Sequence, residues 1–207
     1  MARTGYTGES LGYEIYVGGA ASVWLWQQLI AHGKAFGLLP CGLAARDSLR
    51  TEAGLPLYGH ELGGEHGVDP FEAGFASYVK LHKPFFVGRD ACVAAYCSPK
   101  RTIVRFRTEV GARRVQDGAS LLDRNGSMIG TVTSCVSLGE HQIGLALVER
   151  PNLPPGQSVS FLNRPTGKAA EKALANLEPG DRIPLAIRGR VLPRLRMKGG
   201  ALQSEAD

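Results

Sequence analysis

The sequence predicts an α+β protein in two parts: helices and strands mix up to about residue 90, and a small antiparallel β-barrel or sandwich follows. Three observations support this prediction. The 207 residues include 27 glycines and 12 prolines, an excess that indicates many turns. Hydrophobic residues make up 43% and charged residues 21%, which is enough to bury a core. From Lys100 onward, short apolar runs alternate with Gly or Pro turns, as in a barrel or sandwich.

The first part of the chain predicts one strand and up to three helices. Leu11–Val17 is rich in Tyr, Ile and Val and lies before a Gly pair, which is typical of a strand. A helix is predicted to be capped by Ser22 and to end near Gly33, since apolar residues recur there at helical spacing. A second helix is predicted over Leu43–Glu52, and a third near Pro70, which suits a first helical turn.

The second part of the chain predicts six short strands. Asn125-Gly126 is a strong hairpin signal between the second and third of them. Pro165–Pro179 is predicted as a linker or a short Ala-rich helix, and the polar tail from Lys198 is expected to fray. The predicted strands are Ile103–Phe106, Ser120–Leu122, Met128–Thr133, Gln142–Val148, Ser158–Leu162 and Ile183–Leu192.

Charge and cysteine content narrow the classes of function. A net charge of +5 is too small an excess to indicate a dedicated nucleic-acid binder. Four cysteines are too few for a disulfide scaffold. Ile15–Gly33 carries no charged residue but is interrupted by Gly, Gln and His, and the N-terminus lacks the pattern of a secretory signal. We therefore expect a cytoplasmic protein with neither a membrane nor nucleic acid as partner.

Two polar features on predicted elements each allow two interpretations. Glu14 lies between apolar strand residues, so it marks either the solvent face of a strand or a carboxylate that accepts two hydrogen bonds from a planar heterocycle. Arg46 and Arg50 are four residues apart and share a helix face. They form either a salt-bridged surface or a guanidinium directed at a ligand carboxylate or carbonyl. Gly5–Glu9 lacks the residues of a phosphate-binding loop and is interpreted as a tight turn.

Two further segments of the sequence concentrate titratable or charged residues. His60-Glu61 and Glu65-His66 match neither common zinc-protease spacing, and the glycines between them disfavour a helix, so no metal site is predicted. Arg182–Lys198 holds six basic residues and no acidic one. This run is either a solvated strand edge or a surface that attracts an acidic partner or a polyanionic ligand.

Two long motifs resemble the aminomethyltransferase family, the T-protein of the glycine cleavage system. The first is RTGYTGE at Arg3–Glu9, continuing to the GYEI that ends at Ile15. The second is CGLAARDSLRTEAGLPLYGH at Cys41–His60. Gly126–Ser134 and Ile143–Val148 are similar to the C-terminal barrel of the family. The resemblance covers about residues 2 to 195 and implies that the chain corresponds to the C-terminal part of a family member.

This resemblance implies a function, a cofactor and three site residues. Family members transfer a one-carbon unit from a lipoyl-bound aminomethyl group to tetrahydrofolate and release ammonia. By resemblance, Glu14 would hydrogen-bond the pterin edge, Arg46 would face the distal part of the folate, and Tyr6 would pack in the cavity. A lipoylated carrier protein of the H-protein type would be the partner. Residues 1–90 would form a partial folate-binding α/β domain, residues 91–195 the barrel and residues 196–207 a flexible tail.

The sequence also departs from the family pattern. Roughly the first half of a family chain precedes the RTGYTGE motif and supplies the assisting aspartate, so no catalytic residue is assigned here. An extra residue, Ser10 or Leu11, lies between the two parts of the first motif. We expect the chain to be a truncated copy, a split-gene half or a fragment, inactive by itself and completed by the missing half in trans. The alternatives are transfer from dimethylglycine, sarcosine or sulfonium donors, and a non-catalytic folate-binding fragment.

Overall fold

The computed structural model describes residues 1–149, 153–164, 186–193, 196–198 and 201–203. Contacts divide the chain into two compact units. The first comprises Met1–Leu55 and Leu195–Asp207, and the second comprises Pro56–Arg194. The boundary predicted near residue 90 therefore falls inside the second unit.

The first unit is built on two helices. Helix α1 spans Gly19–Gly33 and helix α2 spans Leu43–Glu52, as predicted for the second. Helix α1 begins before the predicted cap: Gly18 is its N-cap, and the Ser22 hydroxyl lies inside the first turn and donates to the Gly19 carbonyl. A 3-10 turn at Lys34–Phe36 follows. No residue of α1 is buried, so the apolar side chains of that helix remain at the surface.

The strand predicted over Leu11–Val17 is wrong. Only an isolated bridge forms, in which Glu14 and Ala2 exchange backbone hydrogen bonds of 2.8 and 2.9 Å. A strand needs a continuous partner, and the described residues offer Glu14 this single one. In the segment predicted as a flexible tail, Arg196–Lys198 pairs with Ala201–Gln203 as a two-stranded antiparallel sheet.

The second unit begins with turns and one short helix. The helix predicted near Pro70 does not form: the Asp69 carboxylate accepts the N–H groups of Phe71 and Glu72 at 2.7 and 2.9 Å, as at a helix start, but only a turn follows. Gly74 has a φ of +83°, a left-handed conformation that ends a helical turn. A 3-10 turn covers Ala76–Tyr78. The sequence analysis missed helix α3, Arg89–Cys97.

Six antiparallel strands then close into a barrel, which confirms the α+β class and the predicted barrel. The strand order is β1-β4-β3-β2-β5-β6, and β6 pairs back to β1. Pro165–Pro179 and the start of the predicted last strand lie outside the described residues. The strands are β1 Thr102–Thr108, β2 Ser120–Leu122, β3 Met128–Leu138, β4 His141–Val148, β5 Ser158–Leu162 and β6 Ile187–Leu192.

The barrel interior is the main hydrophobic core. The rings of Phe106 and Phe161 are both fully buried, with centroids 4.3 Å apart. Gly144 leaves room for them, since a Cβ there would lie 2.3 Å from Cζ of Phe106. A second cluster covers the outside of the barrel, where Val68 and Ala73 pack with Ile103, Leu145 and Leu147. Residues 56–75 thus fold onto the barrel rather than forming a separate domain.

No helix in the described part of the chain is long and apolar enough to cross a lipid bilayer.

Candidate functional site

The glycines of the first motif bring two backbone segments close together. A Cβ on Gly12 would lie 3.2 Å from the Thr4 carbonyl and 3.4 Å from Cα of Gly5. Gly8 has a φ of +92°, which favours glycine, and is buried. The motif therefore forms the predicted tight turn, and Tyr6 stands in it half-buried.

Glu14 presents its carboxylate at the surface of the first unit. Its backbone is fixed by the bridge to Ala2, and the Tyr16 hydroxyl donates to Oε2 at 3.1 Å. The hydrogen bond to Glu14 and its negative charge raise the pKa of Tyr16 above its usual value. An exposed carboxylate with one oxygen held by a neighbour is suited to accept hydrogen bonds from a ligand.

Helix α2 separates the roles of its two arginines. Arg50 is fully buried, and its Nε donates to Asp47 Oδ1 at 2.6 Å while a terminal nitrogen reaches the Leu55 carbonyl at 3.4 Å. Arg50 therefore holds the end of the helix and the turn after it. Arg46 is exposed. Among the described residues, the side chain of Arg46 makes neither a hydrogen bond nor an ion pair, which leaves its guanidinium accessible to a ligand.

The structure does not enclose the three predicted ligand residues. Tyr6 is half-buried, and Glu14 and Arg46 are exposed. Three cavities of about 500, 380 and 290 Å³ lie in the second unit and are lined by other residues. The groups of Glu14 and Arg46 thus stand at the surface of the first unit.

Comparison with known proteins decides the family. Residues 1–83 match the family model described as the GCVT N-terminal domain. The chain is 55% identical over 167 residues to an aminomethyltransferase of Thermoanaerobacter pseudethanolicus, covering 79% of this chain and 44% of the relative. It is 42% identical over 176 residues to one of Saccharopolyspora erythraea, covering 83% and 47%. The chain belongs to the aminomethyltransferase family.

A solved structure extends this relationship to the fold. The glycine cleavage system aminomethyltransferase T of Bartonella henselae matches with a TM-score of 0.70 and 27% sequence identity, over 92% of this chain and 47% of that one. The chain spans about half the length of the curated relatives it matches. Because the matching family model is described as an N-terminal domain, it does not confirm the expected placement in the C-terminal part of a family member.

The histidine and glutamate cluster after the second family motif has a structural role. Glu61 is fully buried, its Oε1 accepts from the Ser134 hydroxyl at 2.5 Å, and its Oε2 accepts from the Leu57 N–H at 3.0 Å. Glu61 thereby ties the loop at residues 57–61 to strand β3. Over the described residues, no group of three or more His, Cys, Asp or Glu side chains could hold a metal ion.

Sequence analysis missed a second structural carboxylate, Glu72. Its two oxygens each accept from Arg101 at 2.9 Å, and Oε2 also accepts from the Asp69 N–H at 3.1 Å. Burial alone would raise the pKa of Glu72, but the hydrogen bonds and charge of Arg101 and the Asp69 N–H hold it below its usual value. Its partner Arg101 lies 29 residues away in the sequence, beyond the reach of any local pattern.

Proposed function

We propose that the chain takes part in folate-dependent aminomethyl transfer, as the portion of a T-protein that carries both family motifs. The observation that carries this proposal is the exposed pair Glu14 and Arg46, one in each motif of a chain that belongs to the family. Buried Arg50 and Glu61 in the same region have structural partners. Glu14 and Arg46, in contrast, are exposed and accessible to a ligand.

The chemistry of the two groups fits tetrahydrofolate. A pterin edge presents an amide N–H beside an amino group, and a carboxylate such as Glu14 can accept both hydrogen bonds. The far end of folate carries a carbonyl and carboxylates, and the rigid fork of an arginine such as Arg46 is suited to them. Tyr6 offers an aromatic ring that is half-buried in the first motif. These residues would hold the cofactor at its two ends.

When bound, tetrahydrofolate supplies the nitrogen nucleophile that accepts the one-carbon unit. This chain's contribution is binding and orientation. Glu14 would fix the direction of the pterin and Arg46 that of the tail, and holding reactants in register lowers the barrier by several kcal/mol, up to about 7–11 in well-oriented model reactions. No residue of this chain is assigned a proton-transfer role.

We further propose that a second polypeptide covers the first unit. Helix α1 exposes Val23, Trp24 and Trp26, with Trp24 at 61% and Trp26 at 54% of full exposure. Exposed apolar clusters of this kind mark interaction surfaces. The occupant we infer is the remaining portion of a family chain, supplied in trans, with a lipoylated carrier protein as the donor of the one-carbon group.

The proposal predicts that Glu14→Ala and Arg46→Ala each weaken tetrahydrofolate binding by about 1.5–3 kcal/mol, the value of a hydrogen bond to a charged group. The chain would be titrated with tetrahydrofolate, alone and with the first half of a relative added. Glu140→Ala and Arg124→Ala are matched controls, since both are exposed residues of the barrel unit. Unchanged affinity in both test variants would remove the assignment.

A second candidate is a non-catalytic folate-binding chain, because Glu14 and Arg46 offer groups for binding and no residue described above is assigned a proton-transfer role. The two candidates differ in one measurement. Ammonia release from an aminomethylated carrier, absent with the chain alone and restored by the added half, supports the enzyme. Folate binding without any release in the mixture supports the non-catalytic chain. Dimethylglycine, sarcosine or sulfonium compounds in place of the aminomethylated carrier test the other donors.

A further inference from the structure

The Glu14 carboxylate has a polar neighbour, Tyr16, that lies just beyond the first family motif, which ends at Ile15. The Tyr16 hydroxyl donates to Oε2 of Glu14 at 3.1 Å. The two residues are two positions apart, the spacing at which side chains of an extended segment share a face. Tyr16 is 76% exposed, so its ring contributes little to the hydrophobic core.

Glu14 is restrained at both of its ends. Its backbone exchanges hydrogen bonds of 2.8 and 2.9 Å with Ala2, and its carboxylate accepts from Tyr16. A glutamate side chain loses rotamer freedom when a ligand fixes its carboxylate. A carboxylate that a neighbour already holds loses less of that freedom on binding, and this pre-organisation favours affinity. The contact with Tyr16 therefore prepares Glu14 for a ligand.

The contact with Tyr16 leaves the carboxylate able to bind a second partner. An ionised carboxylate has about four lone-pair sites on its two oxygens, and Tyr16 occupies one of those on Oε2. One site on Oε2 and both sites on Oε1 can still accept the parallel N–H donors of a planar ligand edge. The hydrogen bond and charge of Glu14 raise the pKa of Tyr16 above its usual value, so the phenol keeps its proton at neutral pH.

We propose that Tyr16 is a positioning residue, whose hydroxyl holds the Glu14 carboxylate in the orientation that accepts two adjacent N–H groups of a planar heterocycle. This inference rests on the proposed function, in which the heterocycle is the pterin of tetrahydrofolate. Water competes for both side chains in the free chain, since both are exposed. A bound ring would exclude that water and strengthen the hydrogen bond. Tyr16 therefore contributes to ligand affinity rather than to the stability of the fold.

Tyr16→Phe tests the hydroxyl, because it removes that group and keeps the ring. The full chain would be titrated with tetrahydrofolate by calorimetry, alone and with the first half of a relative added. We expect the dissociation constant to rise about three- to tenfold, the effect of one hydrogen bond, with an unchanged melting temperature. Tyr13→Phe is the matched control, since Tyr13 is an exposed tyrosine beside Glu14 in the sequence, and it should leave the dissociation constant unchanged.

A double-mutant cycle shows whether Tyr16 acts through Glu14. In a Glu14→Ala chain, Tyr16→Phe should cause no further loss of affinity, whereas independent contacts with the ligand would give additive losses. Three results would overturn the positioning role: additive losses, parent-like or tighter binding by Tyr16→Phe, or a weakening that comes with a lower melting temperature. Each of them leaves the assignment of Glu14 intact. Equal affinity of the parent and Glu14→Ala, or no binding by the parent in either titration, would instead refute the proposed function together with this inference.

Discussion

Replacing Glu72 with glutamine removes the charge from the ion pair that joins the turn at residues 69–72 to the start of the first barrel strand. The Glu72 side chain is 5% exposed and that of Arg101 25%, so both are largely shielded from water. The substitution preserves shape and one carbonyl oxygen, but it directs an amide N–H₂ at the guanidinium. Hydrogen bonds to charged groups contribute about 1.5–3 kcal/mol each, and breaking a buried pair costs about 3–5 kcal/mol.

Because Arg101 is partly exposed and can be resolvated, we expect Glu72→Gln to lower the free energy of unfolding by about 2–3 kcal/mol. For a chain of this length each kcal/mol shifts the melting temperature by about 2–4 °C, so a drop of about 5–10 °C is expected. Circular dichroism melts at neutral pH would measure it. Glu140→Gln, at an exposed turn, is the control and should stay within about 0.5 kcal/mol of the parent.

The pH dependence gives an independent check. The pKa of Glu72 is lower in the folded chain than its ordinary value of 4.5, so its stabilising effect is complete above the unfolded pKa. That effect is lost as the pH falls through the lower folded value. The difference between parent and Glu72→Gln should therefore be largest at neutral pH and shrink in acid below about pH 4.5. A difference that is absent at neutral pH, or that stays constant into acid, would refute this reasoning.

Two further predictions concern the barrel. Glu61→Ala should lower the free energy of unfolding by about 2–4 kcal/mol, more than Ser134→Ala does, since it removes the acceptor of both the Ser134 hydroxyl and the Leu57 N–H. A double-mutant cycle of Glu61→Ala and Ser134→Ala, measured by urea unfolding, should give a coupling of about 0.5–3 kcal/mol, and strict additivity would contradict the contact. Burial, with a smaller contribution from Asp117, raises the pKa of Cys135 to about 12. At pH 8 the thiolate fraction of Cys135 should be about a thousandfold below that of an ordinary thiol. Alkylation followed by mass spectrometry should therefore label the exposed Cys41 and Cys97 first. Early labelling of Cys135 in the folded chain would contradict this prediction.

The sequence correctly predicted those turns and helices whose conformation is determined by residues close together in the chain. Asn125-Gly126 forms the expected turn, with Gly126 at a φ of +80° and the Asn125 N–H bound to Asp123 Oδ1 at 2.8 Å. Helix α2 has its predicted limits, and Gly54 beyond it has a φ of +70°. Each of these features is decided by residues within a few positions of one another. The barrel strands followed because turns of this kind separate short apolar runs.

Features that depend on distant residues were not predictable from one sequence. Leu11–Val17 has the composition of a strand, but a strand exists only with a partner, and composition does not supply one. Near Pro70 the pattern favoured a helix, but only a turn forms before Gly74, whose φ of +83° does not continue a helix. Four-residue spacing placed Arg46 and Arg50 on one helix face. It could not show that Arg50 alone becomes buried.

Family motifs contain residues that stabilise the fold as well as residues that could bind a ligand, and the structure separates the two kinds. Several residues in the second motif and after it make contacts that stabilise the fold: Arg50 anchors the end of α2, Glu61 binds Ser134, and Glu72 binds Arg101. Similarity at such residues reports the fold, because any protein with this architecture needs those contacts. Glu14 and Arg46 differ, since their side chains are exposed and the described contacts would hold the fold without them. Evidence for folate must therefore come from substitutions at these two residues, where a loss of binding would not reflect a loss of structure.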